Sequence, residues 1–219
     1  MAKISSDSIN KKNKQTLQAL VNLMKDLDQK YSIRVGIIGS NAYAKHLNSG
    51  LTNAQLGAIH EFGCTINVTD KMRAYLHHIG IHLKPDTNTI VIPTRSFLRM
   101  PLLSNEFKEF LYDNIGLYEG KEFFGVSRSE GKKMAREQNL DIAIIKMEKN
   151  PKIMEKIAND VARLALYRIN DAFNTGGFGK WAQISAVTKA HRKNDKSSPP
   201  LTDSSQLRNS ITAEVKKVK

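Results

Sequence analysis

"IPTRSFLRMPL", residues Ile92 to Leu102, is the stretch on which the fold turns. A β-branched run ends at Pro93, which has no N–H to give to a neighbouring strand, so pairing stops there. Arg95 and Arg99 then bracket Phe97 and Leu98, and a second proline precedes a polar turn. The stretch reads as a rigid corner between a strand and a helix, with one of its two apolar residues turned into a core. Its arginines have three uses open to them: capping carbonyl groups, pairing with a carboxylate such as Glu61, or facing a partner.

Upstream of the corner, Leu17, Leu20, Val21, Leu23, Met24 and Leu27 recur at spacings of three and four and predict an amphipathic helix. "SIRVGIIGS" is rich in β-branched residues and predicts a buried strand ending in a turn. Thr52 and Gln55 form a capping-box pattern ahead of "NAQLGAIHEF", and Gly63 supplies its stop. Thr69 caps "DKMRAYLHHIG", after which "GIHL", the Pro85–Asn88 turn and "TIVIP" predict a hairpin.

Downstream, Ser104 caps "NEFKEFLYDNI", and residues 116–150 read as a possible insertion. Within it "NLDIAIIKMEKN" suits a helix, though its apolar run also suits a strand. Pro151 opens the longest helix, in which Ile153, Ile157, Val161, Leu164, Ile169 and Phe173 keep one face apolar until "NTGGFGK" ends it. Residues 180–219 differ, with 9 basic and 3 acidic groups, two adjacent prolines and the alternating "SITAEV". They predict an extended basic arm, anchored by Trp181 and Leu201 and ending in a strand that pairs with a distant partner. The expected fold is α+β, an antiparallel sheet packed against two long helices. The expected divisions are a flexible N-terminus over 1–13, a core over 14–179 and the arm over 180–219. Deleting the arm should, on this reading, leave a folded, monomeric core.

Across 219 residues, 34 Lys and Arg stand against 21 Asp and Glu, a net charge of +13. The excess is spread, since residues 1–110 carry 14 basic and 8 acidic groups and the remainder 20 and 13. Such a balance suits contact with an anionic partner, nucleic acid above all, and equally suits a solvated basic surface. Cys64 is the single cysteine, which excludes an internal disulfide and fits a reducing compartment. There is no apolar run long enough to span a bilayer, and the opening residues lack the core of a signal peptide.

Motifs of catalysis are absent or broken. Gly36 and Gly39 follow a strand but lack the three-glycine fingerprint and the Gly-Lys-Ser/Thr of a phosphate loop. His60-Glu61 opens like a zinc-protease motif, yet Cys64 stands where the second histidine belongs. His77, His78 and His82 cluster, but Gly80 interrupts the helix that would align them. Neither a nucleophile elbow nor paired carboxylates in an apolar context appear. The expectation is a protein that is not an enzyme and carries no cofactor or metal.

Four separated stretches, in order, carry a resemblance: "NAQLGAIHEFG", "VTDKMRAYLHHIGIHL", "IPTRSFLRMPL" and "WAQISAVTKAHR…PLTDSSQLRNSITAEV". Together they resemble the virion-morphogenesis and tail-completion proteins of Mu-like and P2-like phages, and the related neck proteins of long-tailed phages. His60, Glu61, Phe62 and Gly63 match a helix-end motif. Pro93, Arg95, Phe97, Leu98 and Arg99 match the corner, with Thr94 and Ser96 where alanine and proline are common. Trp181, Ser185 and Thr188 match the arm, and Leu201, Thr202, Asp203, Leu207, Ser210 and Ile211 the terminal segment, with Ser204 in place of a glycine.

The resemblance implies a structural protein of the head–tail junction, found in the virion and in host cytoplasm during assembly. It would form a homo-oligomeric ring, expected to be hexameric, on the end of the tail tube. Tail tube protein, head–tail connector proteins and packaged DNA are the implied partners, and no membrane is. The residues expected to make contacts are His60, Glu61, Phe62, Arg95, Phe97, Leu98, Arg99, Trp181, Arg192, Leu201, Leu207 and Arg208. The alternative is a basic nucleic-acid-binding module.

Overall fold

The computed structural model describes residues 25, 27, 29–46, 50–107, 110, 151–192 and 198–218. The N-terminus over 1–13, most of the helix expected over Gln15–Leu27, and the stretch 116–150 lie outside the described residues. The chain divides into two compact units. One comprises the described parts of 1–34, 109–164 and 214–219, and the other those of 35–108 and 165–213.

In the first unit, β1 (Tyr31–Gly36) and β4 (Thr212–Lys217) form a two-stranded sheet, each strand running on into the second unit's residues. The N–H of Val218 donates to the carbonyl of Lys30 at 2.9 Å, so the end of β4 lies at the start of β1 and the pair is antiparallel. The terminal strand read from "SITAEV" therefore finds its partner some 180 residues upstream in sequence. Tyr31 and Leu27 are buried, as are Met154, Ile157, Ala158, Ala162 and Leu164 from the start of the helix Pro151–Thr175. Those helical positions recur at three and four, and small alanines at 158 and 162 complete the apolar face that the large residues announce.

The second unit, which contains the corner, orders its elements as α1 (Ser40–Tyr43), α2 (Asn53–Phe62), β2 (Cys64–Asn67), α3 (Asp70–His78), β3 (Thr89–Ile92) and α4 (Arg99–Leu102). The end of α5 (Pro151–Thr175), α6 (Ala186–Ala190) and α7 (Gln206–Asn209) complete it. Its core joins Phe97, Ile169, Ala172, Phe173, Trp181, Leu207 and Ile211, with Val35, Ile37, Leu98 and Leu201 packed on the rim. The Phe173 ring lies 5.4 Å from that of Phe97 and meets Trp181 edge-on at 5.6 Å. Burying each of these aromatics contributes about 2–3 kcal/mol.

Local chemistry sets the ends of the elements as the sequence implies. The Thr52 hydroxyl accepts from the Gln55 N–H at 3.2 Å, and the Gln55 side chain accepts from the Thr52 N–H at 2.9 Å. Thr69 caps α3 through the Met72 N–H, and Ser104 accepts from the Phe107 N–H. α5 ends where Gly176 and Gly177 take φ of 63° and 69°. A β-carbon on Gly177 would stand 2.2 Å from the Trp181 ring, so the indole lies on bare backbone there.

Three expectations need correction. Among the described residues the single sheet is instead two separate two-stranded sheets, β1 with β4 and β2 with β3. β3 pairs antiparallel with "CTIN", Cys64 facing Ile92, and "GIHL" forms no strand. α3 stops in a Schellman turn, in which Gly80 at φ 83° donates to His77 and Ile81 to Leu76. Arg73 then takes the carbonyls of Lys84 and Thr87 at 2.9 and 2.7 Å, so a side chain replaces the ladder the hairpin would have supplied. Of the two long helices, only α5 falls among the described residues.

The basic arm is the third correction, because its described residues up to Ala213 belong to the compact second unit. Trp181, Leu207 and Ile211 stand in its core. The segment looks extended in sequence because its anchors are far apart and its short helices have four or five residues each.

Candidate functional site

Glu61 sits in the last turn of α2, where the helix dipole disfavours an anion. It is nonetheless only 3% exposed, so its charge must be met by donors. The corner provides them. One carboxylate oxygen accepts from the N–H groups of Phe97 and Leu98 at 2.8 and 2.9 Å. The other accepts from the Ser96 hydroxyl at 2.6 Å and from the N–H and Nε of Arg99, each at 3.0 Å. Burial alone would raise the Glu61 pKa, but the hydrogen bonds from Ser96, Leu98 and Arg99 outweigh it and hold the carboxyl below its ordinary value.

Gly63, at φ 76°, lets α2 turn directly into β2 against the corner, where a β-carbon would meet Thr94 Oγ1 at 2.9 Å. Thr94 Oγ1 donates to the Phe62 carbonyl at 3.0 Å, and the Arg95 N–H donates to that of His60 at 2.7 Å. Helix end and corner are thereby stitched along three consecutive residues at the end of α2, His60, Glu61 and Phe62.

The two arginines divide their work. Arg99 pairs with Glu61, reaches the Glu61 carbonyl through Nη2 at 3.2 Å, and lays its guanidinium 4.4 Å over the Phe62 ring. Arg95 is buried and holds the carbonyls of Ala182 and Gln183 through Nε and Nη2. Burial, then the nearby Arg192 charge, lower its pKa from the ordinary arginine value. Trp181 donates its indole N–H to the Ser96 carbonyl at 3.1 Å, closing the corner onto the segment after α5. Ser96 is the residue that sequence reading missed. Its hydroxyl donates to Glu61 and accepts from the Met100 N–H at 2.9 Å, as a serine set just before a short helix would.

Of the twelve residues expected to make contacts, Glu61, Arg95, Phe97, Trp181, Arg192 and Leu207 are buried. Arg192 spends its fork on the carbonyls of Ser198 and Pro199 and on the Ser198 hydroxyl. His60, Leu98, Leu201 and Arg208 are half-buried, and Phe62 and Arg99 are exposed. Arg208 stands apart from the corner, bonded to Asn170 and Asn174 side-chain oxygens at 2.6 and 2.8 Å. With Tyr167 and Asp171 it lines an open polar cavity of about 480 Å³.

Glu61 is fully occupied as an acceptor, and the His77 and His82 rings meet edge to face at 4.5 Å. Among the described residues no three His, Cys, Asp or Glu side chains gather as a metal site, and no helix is long and apolar enough to cross a membrane.

His60 carries a titration that can be measured. Burial first, and then the charges of Arg95 and His46, push its pKa from 6.5 down to about 4. Its Nδ1 is buried with no partner among the described residues. Between those two values the unfolded chain takes up a proton that the folded chain refuses, so stability falls as pH drops from 6.5 to 4. Allowing for partial exposure, the loss is about 2 kcal/mol. The Glu61 contribution is lost lower, as pH falls below 4.5 and through its depressed folded value. Denaturant titrations of wild type and His60→Gln at several pH values check this: the variant should lose the slope between pH 4.5 and 6.5 and keep the fall beneath it.

No family model, no curated protein and no solved structure matches the chain.

Proposed function

We propose that the protein is a structural subunit of the head–tail junction of a long-tailed phage, assembling as a ring on the end of the tail tube. It acts there in tail completion or as a neck component, with the tail tube and connector proteins as its neighbours. One observation carries the reading. Three of the four stretches that resemble the family interlock through Glu61, Ser96, Arg95 and Trp181 into one frame, in which these polar side chains bind backbone groups and one another. A ring subunit needs a stiff body that presents the same two faces in every copy.

The nucleic-acid reading draws on the +13 charge. Against it, Arg95 and Arg192 are buried and committed to carbonyl groups, so neither is offered to a phosphate. Sedimentation with and without duplex DNA separates the two. Assembly through apolar and backbone contacts should persist from about 50 mM to about 500 mM salt, whereas phosphate binding should weaken by orders of magnitude over that range. A species that forms only with DNA and dissolves with salt would favour the second reading instead.

A further inference from the structure

The ribbon of β2 and β3 rises from the Glu61 frame as part of an unusual excursion. From Phe62 to Thr94 no residue is buried, although the stretch includes Ile66, Met72, Leu76, Ile81, Leu83, Ile90, Val91 and Ile92. A two-stranded ribbon with this little cover is marginal by itself. It is held here at its base, by Thr94 on the Phe62 carbonyl and Arg95 on that of His60.

The direction of its unpaired backbone groups follows from register. Cys64 faces Ile92, Thr65 faces Val91, Ile66 faces Ile90 and Asn67 faces Thr89. The Val68 N–H donates to the Asn88 carbonyl at 2.9 Å, which makes 68 and 88 a hydrogen-bonded pair. Bonded and non-bonded pairs alternate in an antiparallel ladder. Thr65 with Val91 and Asn67 with Thr89 are therefore the non-bonded pairs, and their N–H and C=O groups point outward. All four residues are exposed, and none of the described residues bonds those backbone groups. Both edges of the ribbon are open.

Natural sheets guard open edges with charge, proline or a bulge. These eight strand residues, "CTIN" and "TIVI", include no charge and no proline, in a chain that is one-quarter charged. We infer that the outer edge of β3 in one copy pairs with the outer edge of β2 in the next, so that the ribbons of successive copies form one continuous antiparallel sheet. The occupant is a second copy for two reasons. The two edges run in opposite directions and offer matching donors and acceptors, so repeating the ribbon by rotation sets β3 antiparallel to the neighbour's β2. Copies bearing +13 each also repel, and an uncharged edge is where they approach at least cost. This pairing is head-to-tail, as a ring requires, and it rests on the ring reading proposed above.

Proline at Val91 or Thr65 removes an outward N–H that the ribbon itself does not use, and so blocks one edge at a time. Val91→Pro alone and Thr65→Pro alone should each lose the ring in sedimentation. An equimolar mixture should give dimers, because the first variant keeps an intact β2 edge and the second an intact β3 edge. Rings of unchanged size from either variant would overturn edge pairing and leave the ring reading standing. Dimers of Thr65→Pro by itself would overturn the head-to-tail geometry, and a monomeric wild type at millimolar concentration would overturn both. Hydrogen exchange on the wild type needs no variant to fold. The amides of Thr65, Asn67, Thr89 and Val91 should exchange freely in dilute protein and become protected on assembly, and unchanged exchange would contradict the pairing.

Discussion

Glu61→Ala is expected to destabilise the protein by about 3–5 kcal/mol, a large share of the ~5–15 kcal/mol that holds a typical domain. The size follows from what truncation strands. Three backbone N–H groups at Phe97, Leu98 and Arg99, the Ser96 hydroxyl and the Arg99 guanidinium all lose one acceptor. Phe97 is buried and Ser96 and Leu98 are half-buried, so water replaces the carboxylate only in part. Arg99→Ala should cost only about 1 kcal/mol, since the Arg99 side chain is 52% exposed and its removal leaves Glu61 with four of its donors. Thermal unfolding of the two variants checks the contrast. Equal, small losses would mean that Glu61 is not the hub of the corner.

Deleting residues 180–219 is expected to abolish cooperative folding of the second unit. The truncation takes Trp181, Leu207 and Ile211 from a core of seven buried residues. It also removes the carbonyls of Ala182 and Gln183, leaving the buried Arg95 cation unpaired, and takes β4 away from β1. Loss of a buried aromatic alone costs about 3–5 kcal/mol, and stranding a buried charge costs a similar amount. The truncated chain should show no sharp unfolding transition and no near-ultraviolet dichroism from its remaining aromatics. A folded monomer would restore the arm as a separable appendage.

Local pattern suffices where a structural choice is settled within a few residues. Thr52, Gln55, Thr69 and Ser104 were legible as caps because a cap is decided within three or four residues. The long apolar stripe of α5 was legible for the same reason, and so was the existence of a terminal strand. Strand partners were not, since β2 has four residues, of which only Ile66 is large and apolar, and nothing local says that it meets "TIVI". The corner was half legible. The pairing of Arg99 with Glu61 was among the uses foreseen, whereas Arg95 reaching 87 residues forward to Ala182 depends on how the whole unit closes. Residues 180–213 misled because polar composition with sparse anchors reads as an arm, although three anchors buried in one core suffice to fold it in.

Sedimentation of the intact, nucleic-acid-free chain at high salt tests the assembly role most directly. The account predicts a discrete closed species whose mass is a whole-number multiple of 24.6 kDa. A single 24.6 kDa species that persists at every concentration and gains mass only when DNA is added would contradict it.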